Sequence, residues 1–425
     1  MRGKVFLNQR VVLTGLATIS FFIGGPGTVA IGLLIGPMMH DLGWAGSWAS
    51  SAATAFIVAA LIAGPLAGRV IDKAGARPIM VLGVLLYSSG FLLVSHCHSH
   101  LQMLTAFALV GVGYCASFTV PSAVIVADWM GEKKSLGMGI IWGAASAGAA
   151  IFSVLIGRWI ESDGWRTTTE MLALLGGTML PIIFWAVHSG PGRSAVTADA
   201  VQRPVVMGAS AHVAKSLLIS RVFVVTTASS TLFAIGMMAI YYHVVSVITH
   251  TGFETQVAGT VFGMSWIASA AGSLLSGAVA DRLGAKSTLA TAQLVCALGT
   301  LCLLGVTRSG IGLAYLAGFV VLWGASANAV NQLVPVIFAE RLGAENLGTL
   351  VGVQTSTMGL ISAGIPIMTG AVYDRFNDYR LAICLSAAAT FLAFLVALLI
   401  DRQKSTGHAK DAYEPSIDGS TFRGR

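Results

Sequence analysis

Apolar residues run through this chain in long, nearly unbroken blocks separated by short polar interruptions. The blocks show no period-two alternation, and most reach the ~20 residues that a helix needs to cross a bilayer core. Twelve can be marked, at about 11–37, 47–68, 78–96, 102–126, 135–158, 169–188, 220–249, 256–279, 287–306, 310–337, 347–373 and 380–400. The longest polar interval, 189–219, separates the sixth block from the seventh and carries Arg193, Arg203 and Lys215. A polar tail, 401–425, follows the last block and is expected to be disordered.

Composition narrows the class. Hydrophobic residues make up 55% of the 425 and charged residues 10%, too few charges to cover a soluble surface. Disorder and collagen are excluded by the same figures, and a transmembrane barrel by the length of the blocks. The pattern predicts an all-α integral membrane protein of twelve transmembrane helices. The formal net charge of +7 lies in short loops and sets topology. With the N-terminus inside, 20 Lys and Arg fall on the inner side; only Arg158, Arg166, Arg308, Arg375 and Arg380 fall outside. Both termini and the central loop are therefore expected in the cytoplasm. The basic stretch Met1–Arg10 leads directly into the first block without a cleavage site, so that block is expected to be retained. The style of the sequence suggests a bacterial inner membrane. No Lys/Arg run is interleaved with aromatics, so no nucleic-acid partner is expected. The five cysteines form no C-x-x-C and suggest packing, with no metal or disulfide. His96, His98 and His100 alternate in one loop, which is read as polar loop and not as a metal site.

The two halves repeat each other. Gly68-Arg-Val-Ile-Asp72-Lys-Ala-Gly75-Ala-Arg77 follows span two, and Gly277-Ala-Val-Ala-Asp281-Arg-Leu-Gly284-Ala-Lys286 follows span eight, 209 residues later. Ala127-Asp128 to Gly131 recurs as Ala339-Glu340 to Gly343, and Gly157 to Trp165-Arg166 as Gly370 to Tyr379-Arg380. The expected organisation is a six-helix bundle over 1–188, a cytoplasmic linker over 189–219, a second bundle over 220–400 and a tail over 401–425, with a solute path between the bundles. The motif G-x-x-x-D-[RK]-x-G-x-[RK], twice at equivalent loops, resembles the signature of the major facilitator superfamily across the whole chain. That resemblance implies two pseudo-symmetric six-helix bundles and transport by alternating access. Asp41-Leu-Gly-Trp44, Trp129-Met-Gly-Glu-Lys-Lys-Ser-Leu-Gly-Met-Gly139 and His243 with Gly252-Phe253 resemble the monocarboxylate-porter and oxalate/formate-antiporter branch.

Gly68, Asp72 and Arg77, with Gly277, Asp281 and Lys286, are the expected gate. Each carboxylate can accept from helix N-terminal amides or from a basic residue across the interface, forming a latch on the inner side. Gly24, Gly25, Pro26 and Gly27 stand near the middle of span one and predict a helix break facing the path. The spans hold almost no buried charge, which departs from the resembled branch. Val257–Ala278 lacks the Asp and Arg of eukaryotic monocarboxylate porters, and span eleven carries Gln354, Thr355, Ser356 and Thr357 where antiporters carry a cation. Asn328, Asn331, Gln332 and Pro335 share one helical face of span ten and should turn inward. Tyr114, Trp266 and Trp323 lie near the midplane, Trp142 nearer the inner end, and Tyr242 and His243 in the outer part of span seven. These are the candidate solute contacts; each tyrosine and tryptophan could equally be packing, and each amide an interhelical bond. His243 is a candidate for proton coupling, or simply bonds a backbone carbonyl.

No nucleotide motif and no catalytic cluster occurs, so the expectation is a secondary transporter and not an enzyme, without cofactor. Its solute is expected to be a small organic acid of the monocarboxylate type, with protons as candidate coupling ion. A neutral aromatic or heterocyclic nutrient such as a vitamin, or a drug for efflux, is the alternative. A monomer in contact with membrane lipid is expected.

Overall fold

The computed structural model describes residues 2–43, 46–187, 216–308, 310–343 and 346–400. The central loop from 188 to 215 and the tail 401–425 lie outside the described residues, as does Trp44. The described residues build twelve helical spans in two bundles of six. Span one joins Arg2–Ile19 to Gly25–Leu42, span two is Gly46–Ala74, span three Ala76–Ser95, and span four joins His100–Tyr114 to Val120–Met130. Spans five and six fill Lys134–Gly177 as two helices joined at the non-helical Gly164, and span six is extended by Met179–Ala186. Span seven is Arg221–Tyr241 with Val244–His250, span eight Thr255–Leu283, and span nine Ala285–Cys302. Span ten joins Gly310–Ser326 to Ala329–Arg341, span eleven Leu347–Ser362 to Ile365–Phe376, and span twelve is Arg380–Leu398.

Glycine makes the sharpest joints. Gly75 and Gly284 sit at φ +84° and +89° between spans two and three and spans eight and nine, the same place in each half. A side chain is strained in that region, which is why the repeat keeps glycine there. The joint between spans five and six is a single residue, Gly164, at φ +80°. The polar interval expected at 159–168 is thus helical on both sides of one glycine.

The first and fourth helix of each half are interrupted. Span one widens into a π turn at Ser20–Gly24, closed by the Gly25 amide donating to Ser20 O. Span four does the same at Cys115–Thr119, where the Val120 amide donates to Cys115 O. A proline follows each turn, Pro26 and Pro121, and the wide turn absorbs its missing N–H. Span one therefore does not break at Gly24–Gly27, as the sequence suggests; it continues through the wide turn. Spans seven and ten do break, at Tyr242–His243 and Ala327–Asn328.

Large apolar side chains remain exposed at helical spacing, such as Val58, Ile62, Leu66 and Val70 on span two. A continuous apolar stripe of this kind is the face a span turns to lipid. At the end of the first half away from the Asp72 loop, Arg166 ties three elements. Its Nη1 donates to Ser95 O (3.2 Å) and Cys97 O (3.3 Å), and its Nη2 lies 3.3 Å from Asp41 Oδ2. Trp165 Nε1 donates to the same Asp41 oxygen (3.1 Å), with the guanidinium 4.1 Å over the indole ring. Arg166→Ala is expected to destabilise this half by about 1–2 kcal/mol, since the pair is partly exposed. A thermal unfolding scan in detergent checks it: a midpoint unchanged from the parent would show the clamp to be inert.

Candidate functional site

Two carboxylates join the halves at one end of the bundle. Asp72 accepts from the Gly348 amide at Oδ1 (3.2 Å), and from the Thr349 amide (3.0 Å) and hydroxyl (2.8 Å) at Oδ2. Asp281 accepts from the amides of Ser135 (3.0 Å) and Leu136 (3.0 Å). In both cases the donors are the second and third residues of a helix in the opposite half, where amides lack internal partners and the helix dipole favours an anion. Glycine permits the approach. A Cβ on Gly277 would stand 2.6 Å from Ser135 O, and one on Gly68 would collide with the Gly348 carbonyl. Lys134 and Glu340 add an ion pair across the halves (3.6 Å). We call this the latch end.

The basic members of the motif do something else. Arg77 Nε donates to Val187 O (2.7 Å) and its Nη2 to Phe184 O (3.2 Å), at the close of span six. Lys286 Nζ donates to Leu398 O (2.8 Å) and to Ile400 O, at the close of span twelve. Both aspartates accept from a helix N-terminus of the opposite half, one of the two arrangements open in the sequence. Among the described residues neither cation pairs with the aspartate of its motif; each donates to carbonyls at the close of the last helix of its own half.

Inward from the latch lies a buried polar knot. Asn328 caps the second segment of span ten, and its Nδ2 donates to Ser146 Oγ (2.7 Å), Ser269 Oγ (3.0 Å) and Ser273 Oγ (3.2 Å). Ser146 belongs to the first half and also contacts Ser269 Oγ at 3.2 Å. Gln332 Nε2 donates to Ser273 O (2.9 Å), and Ser276 Oγ donates to Gln332 Oε1 (3.2 Å). Asn331 is half-buried beside them and makes no side-chain hydrogen bond among the described residues. Gln354 is buried on span eleven with a Met358 sulfur at 3.7 Å. The cross-half contacts run from the latch up to Ser146 and Ser269 on one flank. On the other they reach Leu61, whose carbonyl takes the Ser356 hydroxyl and whose side chain abuts Gly359.

Aromatic rings continue the path. In the first half Phe56, Tyr114, Phe118 and Trp142 form a chain with centroids 5.5, 5.5 and 5.0 Å apart. The Tyr114 hydroxyl meets Thr28 Oγ1 at 3.3 Å, and Gly27 leaves room for its ring. In the second half Tyr241, Phe262 and Trp266 cluster with centroids 5.6–6.1 Å apart. Tyr241 lies within electrostatic reach of Tyr114 of the other half. The indole nitrogens of Trp142, Trp266 and Trp323 are buried without a partner. An indole N–H can only donate, so each is a donor lacking its acceptor.

Other candidates are placed elsewhere. Trp323 stacks on Phe319 (5.1 Å) and packs against Gly299 of span nine, inside the second half. Tyr242 is 47% exposed beside Tyr241 (4.9 Å). His243 packs on Tyr379 (6.1 Å) near Gly370, with its Nδ1 buried and unpartnered. Gly25 sits on the backbone of Gly148, and Gly24 on Ala145 and Phe118, so these glycines bring span one onto spans four and five. His100 Nε2 contacts Ser51 Oγ (2.8 Å), and no group of potential metal ligands occurs among the described residues. An open apolar groove of about 470 Å³ between Leu13, Phe21, Ile140 and Ala144 lies apart from the polar knot. Sequence reasoning missed Ser146, Ser269, Ser273 and Thr349. Lone hydroxyls in small-residue stretches carry no pattern, and only their partners across the fold mark them.

The family model of the Major Facilitator Superfamily matches residues 16–366 and matches again over 227–417. An MFS-type transporter of Gibberella moniliformis is 25% identical over 340 residues, 79% of each chain. Monocarboxylate transporter 12 of Homo sapiens is 23% identical over 358 residues, covering 77% of this chain and 68% of that one. The solved structure of the proton:xylose symporter XylE superposes with a TM-score of 0.74 at 14% identity, covering 92% of this chain and 96% of that chain. Two six-helix bundles, an aspartate-to-helix contact repeated between the halves and a family match across most of the length agree: this multi-pass membrane protein is a transporter, not an enzyme, and belongs to the Major Facilitator Superfamily.

Proposed function

We propose that the chain is a secondary active transporter that carries a small organic acid of the monocarboxylate type, with protons, by alternating access. The observation that carries this reading is the pair of unpartnered indole donors, Trp142 and Trp266, one in the aromatic cluster of each half. Donors without acceptors call for a solute rich in acceptor oxygens, and the rings suit a small apolar body. The human relative, named as a monocarboxylate transporter, supports the same class. Positive-inside counting supports a cytoplasmic latch end and cytoplasmic termini, with 1–188 and 220–400 as the rocking bundles and 189–219 as their linker. A monomer in a bacterial inner membrane completes the reading. In it Tyr114, Trp142, Trp266, Asn331 and Gln354 face the solute, and Asn328 and Gln332 hold the latch end shut.

Thermal stabilisation of the purified protein by a panel of monocarboxylates, dicarboxylates, nucleobases and flavins at pH 5.5 and 7.5 tests it. A ligand of the folded state raises the melting temperature with concentration. Lactate- or pyruvate-like acids are expected to stabilise, more strongly at pH 5.5. Trp142→Phe keeps the ring and loses the N–H, and should weaken that binding about 3–10-fold. The uncharged walls of both clusters favour a second reading, a neutral heterocycle; stabilisation by nucleobases or flavins alone would establish it over the acid.

A further inference from the structure

We propose that the acid crosses undissociated, so that the coupled proton rides on the solute's own carboxyl group and not on a side chain of the protein. This rests on the reading of the solute as an organic acid. The first ground is the content of the spans. The stretches 11–37, 47–68, 102–126, 256–279, 287–306, 310–337 and 347–373 contain no Asp, Glu, Lys, Arg or His at all. Spans three, five, six and twelve carry Asp, Glu, Lys, Arg or His only at their ends, such as Arg158, Glu170 and Arg380, and span seven adds Arg221 and His243. A carboxylate brought into such a path would lose its water without gaining a counter-charge, which is prohibitive in low dielectric. The neutral acid needs only one donor and one acceptor.

The second ground is an amide beside the polar knot that makes no hydrogen bond among the described residues. Asn331 is half-buried on span ten, one turn beyond the Asn328 cap and next to Gln332, and its amide makes no hydrogen bond among the described residues. A primary amide presents an N–H and a C=O side by side. These match the C=O and O–H of an undissociated carboxyl group in a closed ring of two hydrogen bonds; a carboxylate anion would leave the amide oxygen facing negative charge. Trp142 and Trp266 supply further donors and no positive charge.

The third ground is the placement of the groups that might hold the proton instead. The His243 ring turns into the second half, against Tyr379 (6.1 Å) and Gly370, whereas neighbouring Tyr241 turns to Phe262 and Trp266. Tyr379 stacks on Tyr373 (4.3 Å), and His250 closes the same cluster at 5.6 and 6.0 Å. The flanking charges Asp378 and Arg380 meet each other at 3.7 Å. Tyr114 is engaged with Thr28. Carriage is then electroneutral, and the acid dissociates on whichever side is more alkaline.

The test uses the full chain in liposomes, with protein-free liposomes as blank and uptake of labelled lactate as readout. Two fixed-charge analogues are added at pH 7.5: lactamide, which is always neutral, and 1-hydroxyethanesulfonate, which is always anionic. Lactamide should compete with lactate and the sulfonate should not. A potassium diffusion potential should leave the rate unchanged, and His243→Gln should keep the pH dependence. Asn331→Leu should raise the KM for lactate about tenfold. Inhibition by the sulfonate, failure of lactamide to inhibit, a rate driven by the potential, or loss of pH dependence in His243→Gln each overturns the proposal while leaving an acid transporter. Should His243→Gln not fold, the two analogues and the potential still decide. Absence of any protein-dependent uptake of lactate, pyruvate or 3-hydroxybutyrate would instead refute the acid reading itself and this inference with it.

Discussion

Exchanging both Asp72 and Asp281 for asparagine is expected to open the latch end to labelling about a hundredfold. Asparagine keeps an oxygen for the amides of Gly348 and Thr349, or of Ser135 and Leu136, but loses the charge that these helix N-termini favour. Bonds to a charged acceptor contribute about 1.5–3 kcal/mol, against about 1 for neutral ones. Each replacement should therefore cost the closed state about 1.4 kcal/mol, a factor of ten. The two sites share no partner, so the effects multiply. A cysteine at Ser276, whose hydroxyl now reaches Gln332 above the latch, reports the change in a background with the five native cysteines replaced. Alkylation of Ser276→Cys should rise about tenfold in either single variant and about a hundredfold in the double. Equal labelling in all four proteins would show that the carboxylates do not hold the halves together.

The largest effect on transport is expected from Gly68→Val. No side chain fits there while the halves are closed, because even a Cβ would overlap the carbonyl carbon and oxygen of Gly348 and stand 2.8 Å from the amide of Thr349. All three are backbone atoms at the start of a helix and cannot swing aside. The closed state must separate at that point, and a carrier that cannot close one end cannot complete a cycle. Transport should fall more than about a hundredfold, while overpacking between two bodies that can part costs the fold less, about 1–3 kcal/mol. Gly277→Val should act alike through Ser135 and Leu136 of span five. Gly32→Ala, with nothing within 4 Å, is the control and should transport normally. Wild-type uptake by Gly68→Val in liposomes would mean that this approach is no part of the cycle.

The spans were legible because each is a continuous apolar run, and the pseudo-symmetry because the Asp72 and Asp281 motifs survive in register. Partners were less so. The five-residue spacing of Asp72 and Arg77 invites a pair, yet Gly75 ends one helix between them and sends Arg77 toward span six. Asp72 instead accepts from residues 276 and 277 positions away, from two backbone amides, which no residue type advertises, and from the Thr349 hydroxyl. Around Pro26 the sequence shows a weakened helix, but whether it breaks or widens is decided by packing against Gly148 and Tyr114. The Asn328–Gln332 face was visible from helical spacing; its serine partners were not, because Ser146, Ser269 and Ser273 come from two other spans in both halves.

Alternating access itself is tested most directly by distances across both ends of one molecule. Spin labels at exposed Lys73 and Arg282 would span the latch end, and labels at exposed His98 and Arg308 the opposite end. Double electron–electron resonance should show reciprocal changes when the double asparagine variant is compared with the parent: the Lys73–Arg282 distance lengthens and the His98–Arg308 distance shortens. Two distances that stay fixed, or that lengthen together, would contradict a rocking of two bundles about a central solute.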